Sequence, residues 1–147
     1  MIQGLSHVAI AVQDLDSAIL QLRKIYGVEP GEIHVNAEQK VRLVYFDLGN
    51  CKIELISPTD ASSPLSRFLQ QNPKGGLHHI CFKTGNVGDS IQEITDRGGS
   101  IVGDKAPHKN YAGAPIAFIH PDTTCGALVE LEEVALSGPI SPKPNLL

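Results

Sequence analysis

Two histidines and two glutamates occupy matching places in the two halves of the chain. His7 lies in Leu5-Ser6-His7-Val8-Ala9-Ile10 and His79 in Gly76-Leu77-His78-His79-Ile80-Cys81-Phe82, an offset of 79 − 7 = 72 residues. Glu54, in Ile53-Glu54-Leu55, answers Glu130, in Val129-Glu130-Leu131, at 130 − 54 = 76. Two imidazoles and two carboxylates form a donor set for a borderline divalent metal ion such as Co²⁺, Zn²⁺, Ni²⁺ or Mn²⁺. Such a set leaves coordination positions for water or a substrate oxygen. A lone histidine on a strand is an ordinary polar residue. Four ligand-type residues at repeat-equivalent positions read as a metal site.

The elements that must position these side chains repeat with them. At the 72-residue offset Val8 meets Ile80, Ile10 meets Phe82, Leu15 meets Val87, Ile19 meets Ile91, Leu22 meets Ile94 and Gly27 meets Gly99. Internal repetition of this kind decides a fold before any single motif does. Leu5–Val12 alternates as a strand, with His7, Ala9 and Ala11 on one face and Val8, Ile10 and Val12 on the other. Asp14 is an N-cap for a helix through Leu15, Ala18, Ile19, Leu22 and Ile25, and Gly27 stands at its left-handed C-terminal cap. Ile33-His34-Val35 has the pattern of a short strand. Val41–Leu48 and Cys51–Ile56 make a hairpin around Gly49-Asn50. Ser63 caps a short linker helix with Pro64 at its first position.

The second half repeats this plan. A strand runs over His79–Thr84, a helix capped near Asn86 ends at Gly98-Gly99, and strands are expected at Ser100–Asp104, Ile116–Ile119 and Ala127–Glu133. His120 before Pro121 shapes the turn between the last two. The expected class is therefore α+β: two paired βαβββ modules form a curved mixed sheet, a cup, with helices on the outer face. The chain reads as one domain over 1–147. Module 1 spans about 4–57, the linker helix about 58–75, module 2 about 76–134, and a tail with Pro139, Pro142 and Pro144 occupies 135–147. Ile53 and Leu55 point one way and Glu54 the other, and Val129 and Leu131 treat Glu130 alike, so the four candidate ligands share the face not committed to helix packing. By the same alternation His78 should point away from His79. His34 and His108 read as surface residues, and Cys81 as an inert residue of the cup wall.

Composition narrows the partners. Twelve lysines and arginines against sixteen acidic residues leave a net charge of −4, with no basic run, which argues against nucleic acid. Three cysteines, Cys51, Cys81 and Cys125, form no close pair and fit a reducing compartment. No apolar run reaches a membrane span, and strand pattern begins by Leu5 with no signal peptide before it, so the expectation is a cytoplasmic protein without a membrane partner.

Four segments carry a resemblance: Leu5–Val12, Ser63-Pro64-Leu65-Ser66-Arg67-Phe68-Leu69, Gly76-Leu77-His78-His79-Ile80, and Ile116-Ala117-Phe118-Ile119-His120-Pro121 with Gly126–Leu131. Together they resemble the methylmalonyl-CoA epimerase family of the vicinal-oxygen-chelate (glyoxalase/bleomycin-resistance/dioxygenase) superfamily. The likeness covers roughly residues 5–133. It implies metal ligands at His7, His79 and Glu130, with a glutamine or glutamate at the position of Glu54, and a homodimer of paired modules. It also implies an acyl-CoA or other thioester substrate. The activity implied is removal of the proton alpha to the thioester and its return to the opposite face. Glu130 is the first candidate for the base and Glu54 for the second.

Three departures stand out. Gln21-Leu22-Arg23-Lys24 replaces an aromatic pair before Arg-Asp. Asn110-Tyr111-Ala112-Gly113 replaces a Gly-Ala-x-Gly loop, and Arg42 stands near where some members carry a second base. The His-Glu-His-Glu pattern also fits a glyoxalase I-type lactoylglutathione lyase acting on a glutathione hemithioacetal. A non-catalytic, antibiotic-binding module on the same cup is a further reading, against which the full ligand set argues. An iron dioxygenase would need a two-histidine, one-carboxylate face that a ligand at Glu54 would block.

Overall fold

The computed structural model describes residues 1–135; the proline-containing tail lies outside them. Among the described residues eight strands form one mixed sheet. In chain order these are β1 (Ile2–Ala11), β2 (Ile33–Asn36), β3 (Val41–Asp47), β4 (Lys52–Pro58), β5 (Gly76–Thr84), β6 (His108–Lys109), β7 (Pro115–Ile119) and β8 (Val129–Glu133). Their order across the sheet is β2-β3-β4-β1-β5-β8-β7-β6. Each half thus reads outward as first strand, last strand, then the hairpin. β1 pairs parallel with β4 and β5 parallel with β8, while β1 and β5 meet antiparallel in the middle. The duplicated modules join through their first strands.

Helices α1 (Leu15–Tyr26), α2 (Pro64–Gln71) and α3 (Val87–Asp96) start and stop on local chemistry. Asp14, Ser63 and Asn86 each accept a backbone N–H from the first turn, and Gly27 ends α1 in the left-handed region at φ 65°. α1 and α3 cover the convex face. α1 buries Leu15 and Ala18 on Val44, Phe46 and Leu55, and α3 buries Val87 and Ile91 on Ala117, Val129 and Leu131. The linker helix lies on the other side of the sheet. Its Leu65 and Leu69 pack on Ala9, Ala11, Val41, Leu43 and Ile56 and close one end of the cup. Full burial of each such aliphatic side chain contributes about 1.5–3 kcal/mol.

The sheet curls until its two edges touch. Asn36 Nδ2 donates to the Lys109 carbonyl at 3.3 Å, and His108 Nδ1 lies 3.0 Å from Glu38 Oε1. The outcome is a half-barrel whose concave side encloses about 410 Å³. One expected strand is absent. Ser100–Asp104 contributes only a single bridge, Ile101 to Ile119, and the edge strand of module 2 is His108–Lys109 instead. Gly103 at φ 82° and Lys105 at φ 61° turn the chain away from extended pairing there.

Candidate metal centre

His7, Glu54, His79 and Glu130 come one from each of the four central strands, β1, β4, β5 and β8, and their side chains converge at the floor of the cup. All four are nearly inaccessible, at 3, 5, 7 and 6 % exposure respectively. His7 Nε2 lies 3.3 Å from His79 Nε2, 3.4 Å from Glu54 Oε2 and 3.3 Å from Glu130 Oε2. His79 Nε2 lies 3.6 Å from Glu54 Oε2 and 2.9 Å from Glu130 Oε2. Donors held at about 2.1 Å around one ion sit about 3.0 Å apart at octahedral right angles and about 3.4 Å apart in a tetrahedron. The five separations fit that spacing, and the donor atoms form two groups, one of His7, Glu54 and His79 and one of His7, Cys81 and Glu130, each with its atoms within 4.8 Å of one another, so the residues present suit a divalent cation.

The electrostatics agree. Two buried carboxylates face two imidazoles, and the cluster demands positive charge. Burial alone would depress His7, but the Cys81 thiol and the carboxylates of Glu130 and Glu54 carry it up to about 12. Burial alone would raise Glu130, but the two imidazoles pull it down to about 2. Without a metal, a proton on His7 supplies the missing cation.

The sequence alternation holds at Glu54, whose neighbours Ile53 and Leu55 pack beneath α1, and at Glu130, whose neighbours Val129 and Leu131 pack beneath α3. It fails at the histidines in an informative way. Leu5 pairs with Phe82 but His7 with Cys81, so Ser6 is an extra residue on β1. Ala9 pairs with His79 but Ile10 with Leu77, so His78 is an extra residue on β5. Both are β-bulges, which let two successive side chains face one side. His78 therefore does not point away from His79. It faces the cup, with its Nδ1 2.9 Å from His79 Nδ1 and its ring edge-on to Phe68. Burial, with His79 beside it, brings it down to about 4.

The remaining candidates distribute around this floor. Cys81 lies between His7 and Glu130 in the sheet register, fully buried, and burial pushes its thiol up to about 12. Tyr45 packs edge-on to His7, and burial together with the Glu54 carboxylate raises its hydroxyl far above the ordinary range. Arg42 turns away from the cup and pairs with Asp16 of α1, so the wall carries Leu43 instead. His34 belongs to β2 and stacks on Tyr111 at 4.2 Å, at the mouth. His108 is held between Glu38 and Asp104 at the rim, and His120 caps the short turn Pro121–Thr123. Glu132, on the same face of β8 as Glu130, is a cup residue that sequence reading passed over, although the period-2 pattern Glu130–Leu131–Glu132 was its signal.

Comparison with known proteins places these features in context. Residues 6–118 match the model of the Glyoxalase/Bleomycin resistance protein/Dioxygenase superfamily. The chain is 39 % identical over 134 residues to an ethylmalonyl-CoA/methylmalonyl-CoA epimerase of Cereibacter sphaeroides, covering 91 % of this chain and all of the relative. Its fold superposes on the methylmalonyl-CoA epimerase of Mycobacterium tuberculosis with a TM-score of 0.83 at 28 % identity, covering 92 % of this chain and 90 % of that one. A methylmalonyl-CoA epimerase solved with methylmalonyl-CoA and NH₄⁺ gives 0.82 at 33 % identity, covering 92 % and 96 %.

Proposed function

The chain belongs to the Glyoxalase/Bleomycin resistance protein/Dioxygenase superfamily, and from that membership we propose that it epimerises methylmalonyl-CoA or a closely related acyl-CoA at the carbon alpha to the thioester. The observation that carries this reading is the convergence of His7, Glu54, His79 and Glu130 on the floor of the cup, beside walls of Leu43, Ile56, Leu65, Phe118 and Leu128. In this reading the four residues hold one divalent metal ion, Co²⁺, Zn²⁺, Ni²⁺ or Mn²⁺. When bound, the ion polarises the thioester and carboxylate oxygens of the substrate and offsets the negative charge that develops on proton loss.

The rest is work for the chain itself. Epimerisation needs a proton acceptor on one face of the alpha carbon and a donor on the other. Glu54 arrives from β4 and Glu130 from β8, with β1 and β5 between them. At about 4.8 Å per strand their backbones stand roughly 14 Å apart, and the two carboxylates reach the histidine pair from opposite sides. Each turns its Oε2 to the imidazoles, and in this reading the carboxylate's second oxygen exchanges the proton. One carboxylate takes the alpha proton as the C–H electron pair moves into the enolate. The other, protonated at the outset, returns its proton to the opposite face, and exchange of both carboxyl groups with solvent resets them for the next turnover. Leu43, Ile56, Leu65, Phe118 and Leu128 line the walls and keep bulk water from the enolate.

The same reading makes the protein a cytoplasmic homodimer, which light scattering and cell fractionation test. The function itself is tested in D₂O. The C2 proton of methylmalonyl-CoA, followed by NMR, should wash out with metal and persist with chelator. Turnover of the glutathione hemithioacetal of methylglyoxal, with no C2 exchange in methylmalonyl-CoA, would replace the epimerase reading with a lyase.

A further inference from the structure

Of the three register shifts between β1 and β5, two fall at repeat-equivalent places, Ser6 and His78, each directly before a candidate ligand histidine. Each bulged side chain meets the nitrogen of that histidine which faces away from the cluster. Ser6 Oγ lies 3.2 Å from His7 Nδ1, and His78 Nδ1 lies 2.9 Å from His79 Nδ1. On the Ser6 side the proton direction follows from counting donors. Ser6 has one hydroxyl proton, and it donates to Glu132 Oε2 at 2.8 Å. Toward His7 the Ser6 oxygen can therefore only accept, so His7 must carry its proton on Nδ1. Once a metal displaces the second proton, that tautomer aims the Nε2 lone pair at the cluster. The other oxygen of Glu132 is fixed too, accepting from Asn110 Nδ2 at 2.8 Å. Asn110 in turn folds the Tyr111 turn, its Oδ1 accepting from the backbone of Ala112 at 3.0 Å and Ala114 at 2.9 Å.

We propose that Ser6 and His78 are positioning residues, placed by the paired bulges to lock the tautomer and ring orientation of His7 and His79, and that Glu132 fastens the Ser6 arm to the turn carrying Tyr111 at the cup mouth. The partners of a metal-bound histidine's second nitrogen commonly tune metal affinity by 10–100-fold. A hydroxyl relayed to a carboxylate does this for His7, and a neutral imidazole accepting from Nδ1–H does it for His79. The bulges explain why one chain can place both a ligand and its support on adjacent residues of one strand.

The inference rests on the metal reading of the site, and its test uses no acyl-CoA, so failure of the epimerase reading leaves it readable. Co²⁺ affinity by competition and the downfield imidazole Nδ1–H proton signals of the metal-free chain are measured side by side. S6A and E132A should each weaken Co²⁺ binding by about 10–100-fold and remove the His7 Nδ1–H signal. S6T, which keeps the hydroxyl, should restore both. The S6A/E132A double variant should be no worse than the weaker single, because the two act in series. H78L should weaken binding comparably, and H78N, whose amide oxygen can accept from His79 Nδ1, should recover it. If a truncation unfolds, E132Q and the proton signals alone decide. Parent-like Co²⁺ affinity in S6A and E132A, or a His7 Nδ1–H signal unchanged in S6A, overturns the proposal. A parent chain that binds no metal overturns the metal reading, and the proton signals then decide the positioning roles by themselves.

Discussion

Replacing Glu130 by glutamine removes a proton acceptor while keeping an oxygen at the same reach. Glu130 Oε2 lies 2.9 and 3.3 Å from the two Nε2 atoms, and a glutamine oxygen can occupy that place with little change of volume. Loss of a general base lowers turnover by about 10²–10⁴-fold, or about 2.7–5.4 kcal/mol at 1.36 kcal/mol per decade. Because the two carboxylates reach the centre from opposite sides, the variants should differ in which epimer they still attack. With Glu130→Gln, Glu54 remains to remove the alpha proton from the epimer that presents it, so that epimer exchanges its C2 proton with D₂O without inverting. With Glu54→Gln the other epimer should do so. The assay incubates each separately prepared epimer in D₂O and follows C2 deuteration and inversion by NMR, with bound metal measured in the same samples. Exchange confined to the same epimer in both variants would refute the two-sided arrangement. Inversion at the parent rate by metal-loaded Glu130→Gln would show that Glu130 is not the base.

Other outcomes follow from the same geometry. A ligand at a thousand times its dissociation constant stabilises a fold by about 4.1 kcal/mol. At about 2.1 cal/mol/K per residue over 147 residues that raises Tm by about 13 °C, so a chelator titration in a thermal melt should span that range, and an unmoved Tm would count against the site. His7 is held protonated up to about 12 without a metal, so metal must displace that proton. Affinity should therefore rise with pH, and calorimetry in buffers of different ionisation enthalpy should show proton release; pH-independent binding would contradict this. Gly75 sits at φ 78°, where an added Cβ would lie 2.5 Å from the Ala11 carbonyl, so Gly75→Ala should destabilise by about 1–3 kcal/mol or more in urea denaturation.

Much of this site was legible before any fold was drawn. The 72-residue repeat paired His7 with His79, and strand alternation put Glu54 and Glu130 on the face opposite Ile53, Leu55, Val129 and Leu131, where the structure has them. Caps at Asp14, Gly27, Ser63 and Asn86 were equally readable, because capping is chemistry between residues two to four apart. What escaped was set by partners far away in sequence. Ser6 and His78 face the ligands because β1 and β5, some seventy residues apart, pair with an extra residue on each side, and a bulge leaves no mark in its own strand's pattern. The strand expected at Ser100–Asp104 dissolved because the edge position beside β7 went to His108–Lys109. The inward seat of α2 depended on the sheet's curl exposing Ala9, Ala11 and Ile56 to Leu65 and Leu69. Local spacing determined which residues could do chemistry; only strand pairing across the whole sheet decided which neighbours hold them in place.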